Sequence, residues 1–143
     1  VKSIIVSRDE REHDVRAILN LGHTIGHALE AVAGYGEVLH GEAIAIGMVG
    51  AARLAARFGY DSSIASETER ILRKFGLPVR IPAQYKTEDI MGAMQHDKKF
   101  SEGQMVFVVP TAVGVVEIRR DVPSSWVKEI VDGLREGTDQ HER

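Results

Sequence analysis

From Gly41 to Phe58 the sequence runs through alanine, isoleucine, methionine, valine and leucine, with Gly47 and Gly50 among them and charges only at Glu42, Arg53 and Arg57. The stretch reads as a helix buried nearly all round. Small residues at Ala43, Ala45, Gly47, Gly50, Ala51 and Ala52 let neighbouring helices approach closely, so the apolar stripe is packing and not a cofactor box. Such a helix has to be surrounded. The chain has the means to surround it: 143 residues, 43% hydrophobic and 27% charged, is the make-up of one soluble globular domain with a sizeable core.

Just ahead of this helix, Asn20-Leu-Gly-His-Thr-Ile-Gly-His-Ala-Leu-Glu30 and Leu39-His-Gly-Glu-Ala43 gather three of the six histidines. A helix from Thr24 to Ala33 sets His23 and His27 on one face, about one turn apart. The glycines of Ala33-Gly-Tyr-Gly-Glu37 stop that helix and let the chain reverse, so that His40 returns toward the pair. Converging imidazoles suit a zinc site or an acid/base relay, because neutral imidazole ligates zinc and its proton moves near pH 7. Histidines spaced i, i+4 also arise on helices with no such role. The flanking Gly22, Gly26 and Gly41 argue further, since glycine costs about 1 kcal/mol against alanine inside a helix and its use implies close approach of backbone, metal or ligand.

The pattern Asn20-x-Gly-His-Thr-x-Gly-His-Ala-x-Glu30, then Leu-His-Gly-Glu-Ala43, resembles the signature of the 3-dehydroquinate synthases. The likeness extends upstream through Lys2, Asp9-Glu-Arg11 and Arg16, and downstream through Gly47-Met48, Asp97-Lys-Lys99 and Val109-Pro-Thr-Ala-Val-Gly114. It implies His23 and His40 as metal ligands, with a third, a glutamate, upstream of Val1, and reserves His27 for proton transfer. Local spacing nominates His23 with His27 instead. Glu30 and Glu42 are nearby carboxylates weighed as replacement ligands. Lys2, Arg16 and Asn20 match positions that contact the substrate's anionic and polar groups, and Lys98 or Lys99, with Lys99 preferred, matches a phosphate or carboxylate contact. On composition alone that lysine pair is a solubility feature.

The formal charge of −3, from 18 basic and 21 acidic side chains, is too small and mixed to point to nucleic acid or a membrane surface. Without cysteine, disulfides and thiolate ligands are excluded. No apolar run approaches the ~20 residues of a membrane span, and the first residues lack a signal-peptide layout, so a cytoplasmic location is expected. The charged run Arg8–Asp14 reads as a solvated turn.

Downstream, Asp61-Ser-Ser63 offers an N-cap for a helix from Ile64 to Phe75 whose Ile64, Ile71, Leu72 and Phe75 form an apolar face. A further helix is expected from Thr87 to His96. Gln104–Val109 and Gly114–Arg119, separated by Pro110-Thr-Ala-Val113, predict an antiparallel hairpin that must lie on the helices. A last helix runs from Ser124 to Glu136 on a face of Trp126, Ile130 and Leu134.

The expected fold is therefore mainly α: a bundle-like helical domain over residues 1–137 with a small two-stranded antiparallel hairpin, and a polar tail over residues 138–143. The resemblance implies a two-domain parent, α/β plus α, whose amino-terminal nucleotide-binding half is missing here; no Gly-rich strand-turn-helix fingerprint occurs in this sequence. It implies conversion of 3-deoxy-D-arabino-heptulosonate 7-phosphate, a phosphorylated sugar acid, to 3-dehydroquinate and phosphate in the shikimate pathway, with NAD and zinc or another divalent metal, and a homodimeric parent. This stretch alone is expected to be inactive and metal-poor. Alternatives are another sugar-phosphate cyclase, a metal-dependent polyol dehydrogenase, and a non-catalytic helical metal-binding module.

Overall fold

The computed structural model describes residues 22–34, 38–95, 104–112 and 115–136. Among them the order is α1 (His23–Ala33), α2 (His40–Arg57), α3 (Ser63–Lys74), α4 (Thr87–Gln95), β1 (Gln104–Ala112), β2 (Val115–Pro123) and α5 (Ser124–Leu134). The mainly helical class with one antiparallel hairpin is as the sequence predicts.

Helix α2 is the centre. Ala43, Ile46, Val49, Ala52 and Ala55 are fully buried, and α1, α3, α5 and the hairpin pack around it. Helix α1 also packs against α4, and Ile25, Leu29, Ile90 and Met94 join the α2 residues in one core. Gly34, Gly59 and Gly76, at φ 82°, 101° and 77°, supply the positive-φ conformations at the ends of α1, α2 and α3.

The α1–α2 crossing is close because both helices spend glycine on it. A Cβ on Gly47 would lie 2.0 Å from the Gly22 carbonyl oxygen and 3.0 Å from the Gly26 amide nitrogen. A Cβ on Gly26 would meet the Ala43 carbonyl oxygen at 3.0 Å. Close backbone approach is thus the use of Gly22 and Gly26, whereas Gly41 faces open space.

Two expectations are corrected. Pro110 lies not in the turn that its sequence predicts but within β1, buried and opposite Val116, and both strands are longer than predicted. The ladder is irregular between Pro110 and Ala112, the setting in which a strand tolerates a residue with no N–H to donate. The apolar face of α3 is only partly a core face: Leu72 is buried and Ile64 half-buried, but Ile71 and Phe75 are 43% and 76% exposed. Beside Leu72, part of the inward side of α3 is taken by Glu69, which receives Arg73, Arg80 and Arg53 at 3.0, 3.1 and 3.4 Å.

The start of α3 is held by Asp61, whose carboxylate accepts the Ser63 N–H at 2.9 Å. Bonds from the Ser63 backbone and hydroxyl keep that carboxyl below its usual range. In the hairpin, Met105, Phe107 and Val109 alternate inward along β1 and place it on the helices. The buried face of α5 is Val127, Val131 and Leu134, with Trp126 and Ile130 at its flank. No helix among the described residues is long and apolar enough to cross a membrane.

Candidate metal and substrate site

His23 and His27 fall one turn apart on α1, and His40 is the first residue of α2. Because the glycine contact sets the two helices against each other at Gly22 and Gly26, the three rings meet at the near end of the crossing. Ring centroids are 4.8 Å apart for His23–His27, 5.8 Å for His23–His40 and 6.2 Å for His27–His40. The sequence expectation that His23 and His40 approach each other holds.

The environments of the rings differ. His27 is exposed and His23 half-buried. The Nδ1 of His23 is buried and has no hydrogen-bond partner among the described residues. His40 is 61% exposed, and its Nδ1 lies 3.0 Å from Glu30 Oε2. Glu42 has another use: its Oε1 accepts the Leu39 N–H at 3.1 Å and closes the first turn of α2.

These residues fit a metal ion in three respects. Two imidazoles sharing a tetrahedral zinc at ~2.0–2.1 Å have ring centres about 5 Å apart, close to both the His23–His27 and the His23–His40 separations. The orphaned His23 nitrogen is a polar atom whose burial costs roughly 1–3 kcal/mol unless something binds it. A carboxylate behind the Nδ1 of His40 is the partner a ligating histidine ordinarily has, since it leaves Nε2 to the metal. Among the described residues no set of three or more His, Cys, Asp or Glu side chains closes around one point.

Sequence reasoning weighed Glu30 as a replacement ligand and missed its place behind His40. The signal was present: Glu30 lies seven residues beyond His23 and three beyond His27, on the same face of α1. Lys2, Arg16, Asn20, Lys98 and Lys99 lie outside the described residues.

A family model described as 3-dehydroquinate synthase C-terminal matches residues 1–100. The chain belongs to the 3-dehydroquinate synthase family. The 3-dehydroquinate synthase of Desulforamulus reducens is 49% identical over 134 residues, covering 92% of this chain and 37% of that protein. That of Crocosphaera subtropica is 42% identical over 132 residues, covering 92% and 36%. The chain therefore spans little more than a third of the length of the synthases it matches. Among solved structures, 2-deoxy-scyllo-inosose synthase complexed with carbaglucose-6-phosphate, NAD+ and Co2+ superposes with a TM-score of 0.74 at 31% identity, over 89% of this chain and 36% of that one.

Proposed function

We propose that the chain is the metal- and substrate-holding part of a 3-dehydroquinate synthase, a phosphate-eliminating cyclase of the shikimate pathway acting on 3-deoxy-D-arabino-heptulosonate 7-phosphate. The observation that carries this reading is the convergence of His23, His27 and His40 at the α1–α2 crossing, in a chain 41–49% identical to synthases of that name. NAD is held mainly by the remainder of a protein of its relatives' length. A solved cyclase with NAD+ and Co2+ supports the pairing of nucleotide and divalent metal, for which zinc is our choice here.

His23 and His40 hold the metal, from separate helices, and a third ligand comes from outside this chain. A divalent ion bound there supplies Lewis-acid stabilisation of negative charge on substrate oxygens. His27, exposed beside them, takes a proton at its ring nitrogen and returns it to the substrate or the departing phosphate. Lys2, Arg16, Asn20 and the Lys98-Lys99 pair bind the carboxylate and phosphate through charge-assisted hydrogen bonds. The parent is a cytoplasmic homodimer in this reading, and the chain by itself neither turns over substrate nor binds NAD.

The test is made on the full-length synthase that contains this chain. His27→Ala should lower turnover of the heptulosonate phosphate by roughly 100-fold or more while leaving metal content intact. His23→Ala and His40→Ala should lose metal and activity together. Equal loss of metal and activity in His27→Ala would overturn the assignment of roles. The likeness to 2-deoxy-scyllo-inosose synthase favours a sister cyclase as second reading, and faster turnover of another sugar phosphate would establish it.

A further inference from the structure

We propose that Glu30 is a positioning residue for the metal site, acting through His40; this rests on the reading of His40 as a ligand. Glu30 stands on α1 and His40 on α2, so their 3.0 Å contact between Oε2 and Nδ1 crosses from one helix to the other.

Three features give that contact its function. First, the His40 ring is only partly held by packing: 61% of its side chain is exposed, and its ring neighbours are His23 and His27 at 5.8 and 6.2 Å. The Glu30 bond is the one hydrogen bond that ring makes among the described residues and so narrows its rotamers. Second, a carboxylate oxygen facing Nδ1 accepts a hydrogen bond and so favours the tautomer that carries its proton on that nitrogen. The lone pair is then on Nε2, the atom left to ligate. Third, Glu42, the other carboxylate beside this ring in sequence, is committed to the Leu39 N–H. Glu30 is thus not a spare ligand but the acceptor that fixes which nitrogen of His40 is offered and where it points.

A ligand role and a positioning role for Glu30 are separable by substitution. A glutamine keeps a carbonyl oxygen that accepts the Nδ1 proton but is a much poorer metal ligand than a carboxylate. The experiment has two readouts, on the full-length synthase and its Glu30→Gln and Glu30→Ala variants. Long-range 1H–15N spectra of the metal-free protein near pH 8 should show His40 protonated at Nδ1 in the wild type and in Glu30→Gln, and predominantly at Nε2 in Glu30→Ala. Titration with zinc alone should show binding weakened about 10–100-fold in Glu30→Ala and less than about 5-fold in Glu30→Gln. Helical circular dichroism should be unchanged, since the bond is at the surface.

An Nε2–H tautomer in the wild type, or zinc affinity unchanged in Glu30→Ala, would overturn the proposal. Equal loss of affinity in both variants would overturn it in favour of direct ligation by Glu30. The underlying metal reading fails separately, if His23→Ala and His40→Ala bind zinc as tightly as the wild type, whereas the metal-free tautomer tests Glu30 whatever that outcome.

Discussion

Replacing Gly47 by alanine should destabilise the domain although alanine is the better helix former. Taken alone, Gly→Ala within α2 is worth about 1 kcal/mol of stabilisation. The new Cβ, however, falls 2.0 Å from the Gly22 carbonyl oxygen, and ordinary contact begins near 3.4 Å, so the helices must part by about 1.4 Å at that point. The obstacle cannot rotate away, because Gly22 O accepts the Gly26 N–H at 3.0 Å. Moving it breaks that bond, worth roughly 0.5–1.5 kcal/mol, and opening the crossing adds an overpacking cost of about 1–3 kcal/mol. With a backbone obstacle the upper end applies, and the net loss should be about 2–3 kcal/mol, or roughly 10 °C in Tm. Gly41→Ala in the same helix is the control, because nothing lies within 4 Å of its Cβ position, and it should be neutral or stabilising by up to about 1 kcal/mol. Chemical and thermal unfolding of both variants measure the difference. If Gly47→Ala is no less stable than Gly41→Ala, the close crossing is refuted.

Two further predictions concern the scaffold. Burial pushes the Glu69 carboxyl up, but hydrogen bonds from Arg73 and Arg80, with the charges of Arg80 and Arg53, outweigh it and hold the group below its ordinary 4.5. A depressed folded pKa contributes stability above the unfolded value and loses it as pH falls. Glu69→Gln should thus cost roughly 1–3 kcal/mol at pH 7, and the gap to wild type should shrink steadily below about pH 4.5; a gap constant down to pH 3 would contradict this. Thr87 is buried at 3% exposure and its hydroxyl donates to Asp132, tying α4 to α5. Thr87→Val should cost about 1 kcal/mol by denaturant unfolding, since half-exposed Asp132 recovers water, and a loss above about 3 kcal/mol would show a larger role for the hydroxyl.

What could be read from the sequence was what local pattern decides. Helix α2 was legible because its small and apolar residues leave almost no solvent face, and α1 because glycines bracket it. The turn at Pro110 was misread because proline is a local signal for a turn, while the pairing that keeps it within β1 comes from Val116 across the hairpin. The orientation of α3 was illegible for a similar reason. Its stripe of Ile64, Ile71, Leu72 and Phe75 has helical spacing, but the inward side is shared between Leu72 and Glu69, which Arg53 and Arg80 reach from other elements. The surface stack in which Arg57 lies 4.8 Å from the Trp126 ring, Phe58 4.9 Å from Trp126 and Arg119 4.0 Å from Phe58 joins three elements, and no spacing along the chain announces it.

The histidine site combines both kinds of information, which explains why its members were legible and its internal order was not. Sequence motif puts His23, His27 and Glu30 on one face of α1, but the position of His40 relative to them depends on two contacts between helices. One is the backbone contact of Gly47 with Gly22, the residue just before His23, and it fixes where α1 stands on α2. The other is the Glu30–His40 bond, which fixes how one exposed ring is turned within that frame. The first is buried and shared with the core; the second is at the surface. It follows that a change at Gly47 must alter stability and ring geometry together, whereas a change at Glu30 alters ring geometry and leaves stability nearly as it was. The two perturbations therefore distinguish a site placed by helix packing from one tuned by a single hydrogen bond, and this fold requires both.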